Sequence, residues 1–261
     1  MTDFDKQWKD VVGDEFLSYN KEQFAFNKKR VKEFLNNTGL KSWYSNNFAI
    51  GKYRFELDIK SLSKKDSLIK DKICLDAGCG PGRWTYAMQQ LGAKEVTSFD
   101  ISSEAIKKCK VINPDAYIQD IWDLKQNNFY DFVLSWGVLH HTRNTREAFS
   151  KICSQVKKGG MLHIMVYNKE NDWAYDGYRG DTCVSKHEEW EKLSFNEQIE
   201  MCKNKVKSSG GDVLGWFDAF NPKFNWSHSA DEVRQWFEDE GFTNIKLRMV
   251  KQNINMNGIL K

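Results

Sequence analysis

The chain has 261 residues, 40% of them hydrophobic and 14% aromatic, enough to bury the core of one ordinary α/β domain with additions. Its 39 basic and 36 acidic residues leave a net charge of +3, a near balance that argues against a surface built for bulk nucleic acid or an anionic membrane. The six cysteines show no Cys-x-x-Cys and no zinc-ligand spacing, so free thiols in a reducing compartment are expected and a metal site is not. The first residues, Met1 to Trp8, are polar and acidic, and no run is long enough to span a bilayer; the expected location is the cytoplasm.

Residues Lys21 to Asn36 place Phe24, Val31 and Leu35 at helical spacing, with Phe34 alongside, and predict an amphipathic helix ahead of the core. Trp43, Tyr44 and Phe48 follow in a less regular stretch. From Lys72 the pattern alternates strand and helix, which predicts a parallel sheet covered on both faces. Ile73 to Leu75 reads as a buried strand, Arg83 to Leu91 as a helix carrying Trp84, Met88 and Leu91, and Val96 to Phe99 as a second strand. Ser102 or Ser103 can cap a helix bearing Ala105, Ile106 and Cys109. Phe149, Ile152, Cys153 and Val156 form a further helical stripe, expected to stop at Gly159. Ser229 and Glu232 form a capping box ahead of Val233, Trp236 and Phe237, Gly241 stops that helix, and Phe242 to Val250 and Asn253 to Leu260 read as two strands.

Between the first strand and helix, Gly78, Gly80 and Gly82 fall at every second position behind Asp76. Glycines there let the backbone turn tightly and approach a ligand, and a strand, glycine loop and helix N-terminus together make a nucleotide site. The dinucleotide fingerprint Gly-x-Gly-x-x-Gly fails in both registers, because Arg83 or Thr85 stands where the third glycine belongs. Asp100, at the tip of the second strand, can accept both hydroxyls of a ribose. The pattern Asp-x-Gly-x-Gly-x-Gly, followed by Asp100, Ile118-Gln119-Asp120-Ile121, Tyr130 to His141 and Val156 to Ile164, resembles the class I S-adenosylmethionine-dependent methyltransferases. The resemblance is close over Lys72 to Tyr167 and loose from Ser229 onward.

The resemblance implies a Rossmann-like, seven-stranded, doubly wound sheet, mostly parallel with an antiparallel C-terminal strand. It carries an N-terminal helical extension or lid over 1–70, a nucleotide-binding core over 71–167, an insertion over 168–228 that covers the substrate, and a closing helix and strand pair over 229–261. It implies S-adenosyl-L-methionine as cofactor, held by Asp76, Gly78, Cys79, Gly80, Gly82, Asp100, Ile101, Asp120, Ile121 and Trp136. Asp76 would order the loop near the amino-acid end of the cofactor, and Asp120, preferred over Asp123 because it directly follows a strand, would meet the adenine amino group.

His140 and His141 follow the fourth strand at the edge where open α/β sheets bind ligands; one of them could act as a general base, or pack and cap the next helix. His228 is a second candidate base, and Tyr167, Asn168, Tyr175, Arg179 and Trp226 are candidate substrate contacts beside His140. The insertion's aromatic residues can form a small core with others left to line a pocket. The expected activity is methyl transfer by in-line displacement to a small-molecule oxygen, nitrogen or carboxylate acceptor. Methylation of a tRNA base and a non-catalytic cofactor-binding role stand as alternatives, with nucleic acid and membrane partners not expected.

Overall fold

The computed structural model describes residues 2–11, 28–38, 68–171, 183–250 and 253–261. At its centre β1 (Ile73–Ala77) pairs in parallel with β2 (Glu95–Asp100) on one side and β4 (Tyr130–Trp136) on the other. The two-residue β3 (Tyr117–Ile118) continues from β2, and the long β5 (Val156–Asn168) continues from β4, again in parallel. At the far side β8 (Asn253–Leu260) runs antiparallel to both β5 and the edge strand β7 (Phe242–Val250). The order β3-β2-β1-β4-β5-β8-β7 carries the mostly parallel, doubly wound arrangement that the sequence predicts. An eighth strand, β6 (Ser227–His228), adds to the predicted seven by pairing with Tyr167 and Asn168 at the end of β5.

Alternation along the strands sorts the core into two layers. Cys74, Phe132, Leu134 and Met161 face α2 (Lys28–Thr38) and α3 (Arg83–Gln90), where Val31, Phe34, Leu35, Trp84 and Met88 are buried. Leu75, Val133, Leu162 and Ile164 face α5 (Thr145–Cys153) and α9 (Ala230–Asp239), which supply Phe149, Ile152, Val233, Trp236 and Phe237. The cap at Ser229 forms as a full capping box with Glu232, a device that contributes about 1 kcal/mol to a helix start. Ser102 caps α4 (Ser103–Cys109) by accepting from the Ala105 amide. Cys74, Cys79, Cys109, Cys153 and Cys202 are free and buried; the bond with Cys109, together with burial, pushes the Cys79 thiol well up, and burial pushes Cys153 well up and Cys202 to about 12.

One expectation fails locally. The stripe that ends in Val156 is not helical to Gly159: α5 stops at Cys153, and Val156 already pairs with Tyr130 as the first residue of β5. Gly159 and Gly160 instead sit where the β4–β5 register shifts, so they form a bulge inside a strand. A Cβ on Gly160 would lie 2.9 Å from the carbonyl oxygens of both Lys157 and Tyr130. These are backbone atoms that cannot rotate aside. Gly160→Ala is expected to cost about 1–3 kcal/mol of stability, read as a lower urea midpoint at unchanged m-value; an unaltered midpoint would remove this explanation of the glycine.

Among the described residues three α-helices lie between β5 and β6: α6 (Cys183–Glu191), α7 (Phe195–Ser209) and α8 (Val213–Phe220). They share a separate small core of Trp190, Cys202, Trp216, Phe217 and Phe220, the cluster that the aromatic content foretells. At the other end of the chain, α1 (Asp3–Lys6) and the turn Gln7–Val11 reach across to α4 and α8. Among the described residues no helix is long and apolar enough to cross a membrane.

Candidate active site

Strand order reverses between β1 and β4, and in an open α/β sheet the loops beyond the strand ends diverge at such a point and leave a crevice. A cavity of about 500 Å³ lies there. Its floor is Gly78–Pro81 after β1, Asp100 and Ile101 after β2, Gln119–Trp122 after β3, and Trp136–Val138 after β4. Its roof is Phe4, Gln7 and Trp8 from the N-terminal segment and Asp212, Leu214, Gly215 and Asp218 from the start of α8.

The glycine loop is held by backbone bonds. The amides of Gly78 and Cys79 both donate to the Phe99 carbonyl, at 2.9 Å each, which ties the loop to β2. Gly78 and Gly80 have φ of +78° and +53°, and a Cβ on Gly78 would sit 2.4 Å from Val138, one on Gly80 3.2 Å from Trp8. Side chains there would be strained and would close the cradle. The Gly80 amide donates to Asp100 Oδ2 at 2.8 Å, and the Ser102 amide donates to Oδ1 at 2.9 Å. A carboxylate offers about four acceptor positions, so Asp100 keeps acceptor capacity toward the cavity it lines. Burial raises its pKa to about 6 against the opposing amides of Ser102 and Gly80, with the nearby charge of Asp5 adding to the rise.

Asp76 and Gly82, the other members of the motif, lie behind the cavity. Asp76 accepts the Thr85 hydroxyl at 2.6 Å, and burial lifts its pKa to about 6. It fastens the loop to α3. Gly82 opens α3, and a Cβ there would meet Ile112 and Cys109. Cys79, Ile101, Asp120, Ile121 and Trp136 all line the cavity. Asp120 also accepts the Trp122 amide at 3.0 Å and so caps the short turn Ile121–Asp123.

On the opposite side His141 lines the cavity while being 8% exposed. Its Nδ1 lies 3.1 Å from the Phe224 carbonyl. A carbonyl only accepts, so this contact places the proton on Nδ1 and leaves Nε2 as the basic nitrogen of the neutral ring. Nε2 lies 3.9 Å from Asp218 Oδ2, close enough to stabilise a positive charge on the ring. Asp218 also accepts the Tyr167 hydroxyl at 3.2 Å and the Gln7 side-chain amide at 3.1 Å. One carboxylate thus joins the end of β5, the N-terminal segment and α8 around His141. Asp5 completes the closure: its Oδ1 accepts Ser102 Oγ at 2.7 Å, two residues beyond Asp100. Burial alone would raise the Asp5 pKa, but bonds from Ser102, Thr2 and Glu104 bring it below its ordinary value.

The remaining candidates are elsewhere. His228 does not line the cavity; it stands in β6, bonded to Glu232 at 3.0 Å and packed on Trp236, and burial lowers its pKa. His140 is fully buried against Tyr167, 3.8 Å between ring centroids. Asn168 is buried and caps the turn after β5 through the Glu170 amide. Trp226 clamps the His140–Thr142 loop, its indole donating to the Thr142 carbonyl at 2.9 Å and its amide to that of His140. Tyr175 and Arg179 lie outside the described residues. Asp218, Gln7, Trp8 and Arg83 are wall residues that the sequence reading does not assign to the site. Asp218 alone left a trace, as the single charge in the apolar helix α8.

A family model described as "Methyltransferase domain" matches residues 49–247, most of the chain. The chain belongs to the class I S-adenosylmethionine-dependent methyltransferases. Curated relatives of this methyltransferase include the tRNA U34 carboxymethyltransferase of Helicobacter acinonychis, 27% identical over 139 residues that make up 47% of this chain and 53% of that protein. The protein of the same name from Mannheimia succiniciproducens is 31% identical over 114 residues, 40% of this chain and 35% of the other. The chain spans about half the length, or less, of these relatives. Among solved structures, an S-adenosylmethionine-dependent methyltransferase from Mesorhizobium loti shares the fold with a TM-score of 0.50 at 13% identity, covering 74% of this chain and 93% of that one.

The family's methyl donor is S-adenosylmethionine, and the cavity fits it. Its volume falls within the range of about 300–1,000 Å³ usual for ligand sites, and its glycine floor is stripped of side chains where a nucleoside needs close approach. Two buried polar atoms of wall residues, Trp84 Nε1 and Gln7 Oε1, have no partner among the described residues, an arrangement that a polar ligand resolves.

Proposed function

We propose that this protein transfers a methyl group from S-adenosylmethionine to a small-molecule acceptor held between His141 and α8. Asp100 would accept the ribose hydroxyls, the Gly78–Gly80 loop would carry the central part of the cofactor, and Ile101, Asp120 and Ile121 would surround the adenine. When bound, the cofactor supplies an electrophilic methyl on a sulfonium centre. The protein's part is alignment of the acceptor, exclusion of water and removal of one proton.

The observation that carries this reading is the closed arrangement around Asp218. It brings together Tyr167, Gln7 and His141 under α8, so the acceptor half of the cavity has a roof made of two separate parts of the chain. His141 Nε2 would take the proton of a hydroxyl or amine acceptor, and Asp218 would stabilise the resulting imidazolium. The N-terminal segment and the helical insertion act as the cover, and must part to admit the acceptor.

The names of the curated relatives support a second reading, in which the acceptor is a tRNA base. The balanced charge gives the first reading no reason to exclude it, since a flipped base needs only a pocket and stacking partners. Incubation with methyl-labelled cofactor and, in parallel, a protein-free metabolite extract and bulk tRNA separates the two. Label in the small-molecule fraction is expected; label confined to tRNA would replace the first reading with the second.

A pH dependence follows from Asp100. With its pKa near 6 in the ligand-free protein, the carboxyl is protonated below that pH and loses acceptor capacity toward the ribose. Binding a hydroxyl pair favours the ionised form, so a proton must be shed on binding at lower pH. Affinity for S-adenosylhomocysteine is expected to be flat above pH 7 and to fall below pH 6, approaching tenfold per pH unit. In Asp100→Asn that slope should vanish; the same slope in both proteins would take the titration away from Asp100.

A further inference from the structure

Asp218 stands in the roof of the cavity, and its two oxygens collect donors from the residues around it. Oδ1 accepts the Gln7 side-chain amide at 3.1 Å, and Oδ2 accepts the Tyr167 hydroxyl at 3.2 Å. His141 spends its ring proton on the Phe224 carbonyl, 3.1 Å from Nδ1. These three donors are thus used up inside the protein, and what remains at this end of the cavity accepts. Asp218 has received two bonds against the roughly four that a carboxylate can take. His141 presents Nε2, 3.9 Å from that carboxylate. Gln7 adds a further acceptor. Its NH2 group must face Asp218, so Oε1 is fixed as the other end of the amide, and it has no partner among the described residues although Gln7 is only 3% exposed. The cations of the wall stand over other groups: Arg83 over the Trp84 ring at 4.7 Å and Arg143 over the Trp122 ring at 4.3 Å. Among the described residues neither pairs with Asp218, whose ion-pair partner is His141.

Such a set discriminates among the acceptor chemistries open to methyl transfer. A carboxylate brings no donor to these groups and meets the charge of Asp218. A hydroxyl brings one donor and no charge. A primary ammonium brings three N–H donors and a positive charge, which matches a carboxylate, an amide oxygen and a basic ring nitrogen. We propose, on the footing of the small-molecule reading above, that the methyl acceptor is a primary amine, bound as its ammonium between Asp218, Gln7 Oε1 and His141 Nε2. Phe4, Trp8, Trp136 and Leu214 also line the cavity and give the carbon skeleton apolar surface. Atoms and charge balance in the transfer. One N–H proton passes to His141 Nε2, the freed nitrogen lone pair bonds the methyl carbon, and the carbon–sulfur electron pair stays on sulfur. The product is a methylated ammonium, and His141 returns its proton to water. Asp218 therefore faces a cation before and after transfer, a binding role beyond its effect on the His141 ring.

Mass spectrometry with a trideuteriomethyl-labelled cofactor tests it. The full chain is incubated with a protein-free metabolite extract and, separately, with bulk tRNA, and fragmentation locates the label in each product. The expected product is a small molecule carrying the label on a basic nitrogen. Label on an ether or ester oxygen, or on sulfur, overturns the amine assignment and leaves small-molecule methyl transfer standing. Label in tRNA alone, or no label in either, removes that reading and the amine assignment with it. The unmethylated parent of the labelled amine then serves as substrate for the variants. Asp218→Asn is expected to raise its KM about 10- to 100-fold, the loss of a charge-assisted contact, with S-adenosylhomocysteine affinity within twofold of wild type as evidence of folding. Gln7→Leu, which removes Oε1, should raise KM about threefold to tenfold. A KM within twofold of wild type in Asp218→Asn would overturn the binding role of that carboxylate.

Discussion

Asp100→Ala is expected to lower affinity for S-adenosylhomocysteine by about 100- to 10,000-fold, the largest binding effect of any single change in the protein. Two losses combine. The ribose loses a charged acceptor, worth about 1.5–3 kcal/mol per bond. The loop loses its anchor, because the Gly80 and Ser102 amides both end on this carboxylate and would be left buried without a partner. The second loss also reaches the N-terminal segment, since Ser102 is the residue that Asp5 grips. Asp100→Asn keeps one acceptor oxygen, so it should fall between wild type and Asp100→Ala and separate the ribose contribution from collapse of the loop. Calorimetric titration reads both, and a loss below threefold in Asp100→Ala would mean that the ribose is held elsewhere.

His141→Ala should reduce kcat by about 100- to 10,000-fold while leaving S-adenosylhomocysteine binding within twofold, the signature of a group that acts on the acceptor's proton. The neighbouring geometry predicts a graded series. Asp218→Asn, which removes the charge 3.9 Å from Nε2 and keeps a hydrogen-bonding amide, should cost less than His141→Ala. His228→Ala should leave kcat within threefold, because that ring is committed to Glu232 and Trp236 away from the cavity. Equal losses at positions 141 and 228, or an unchanged rate in His141→Ala, would reject the assignment of the base.

Local physics made the glycine-loop side of the cavity legible in the sequence. A strand buried on both faces reads as an apolar run, a backbone that must turn with positive φ reads as glycine, and an acid at a strand tip reads as Asp100. Each signal spans a few residues, and the same holds for the Ser229–Glu232 cap. The side around Asp218, proposed to hold the acceptor, was legible only through His141 and Tyr167. Its other members meet across long separations: Asp5 with Ser102, Gln7 with Asp218, Tyr167 with Asp218. No periodicity links such pairs, and a polar residue near a terminus looks the same whether it is solvated or pinned over a cavity. His228 misled for the converse reason. The resemblance placed it at the crevice, but two residues of strand pairing with β5 and a bond to Glu232 turn it to other partners. Gly159 read as a helix stop because a glycine after an apolar stripe commonly is one; the close backbone approach at Gly160 shows a bulge instead.

The balance of charge, likewise, described the whole chain and said nothing about a pocket. A net charge of +3 disfavours tight coating of nucleic acid, but a single base bound in a cavity needs no such surface.

The claim beneath all of these expectations is that the Gly78–Gly80 loop and Asp100 grip an adenosyl methyl donor. A crystal structure of the full chain grown with S-adenosylhomocysteine tests it most directly. The predicted result is the nucleoside in the cavity between β1 and β4, with its ribose hydroxyls on Asp100. A cavity left empty at saturating ligand, or an adenosyl group bound away from Asp100, would contradict the account.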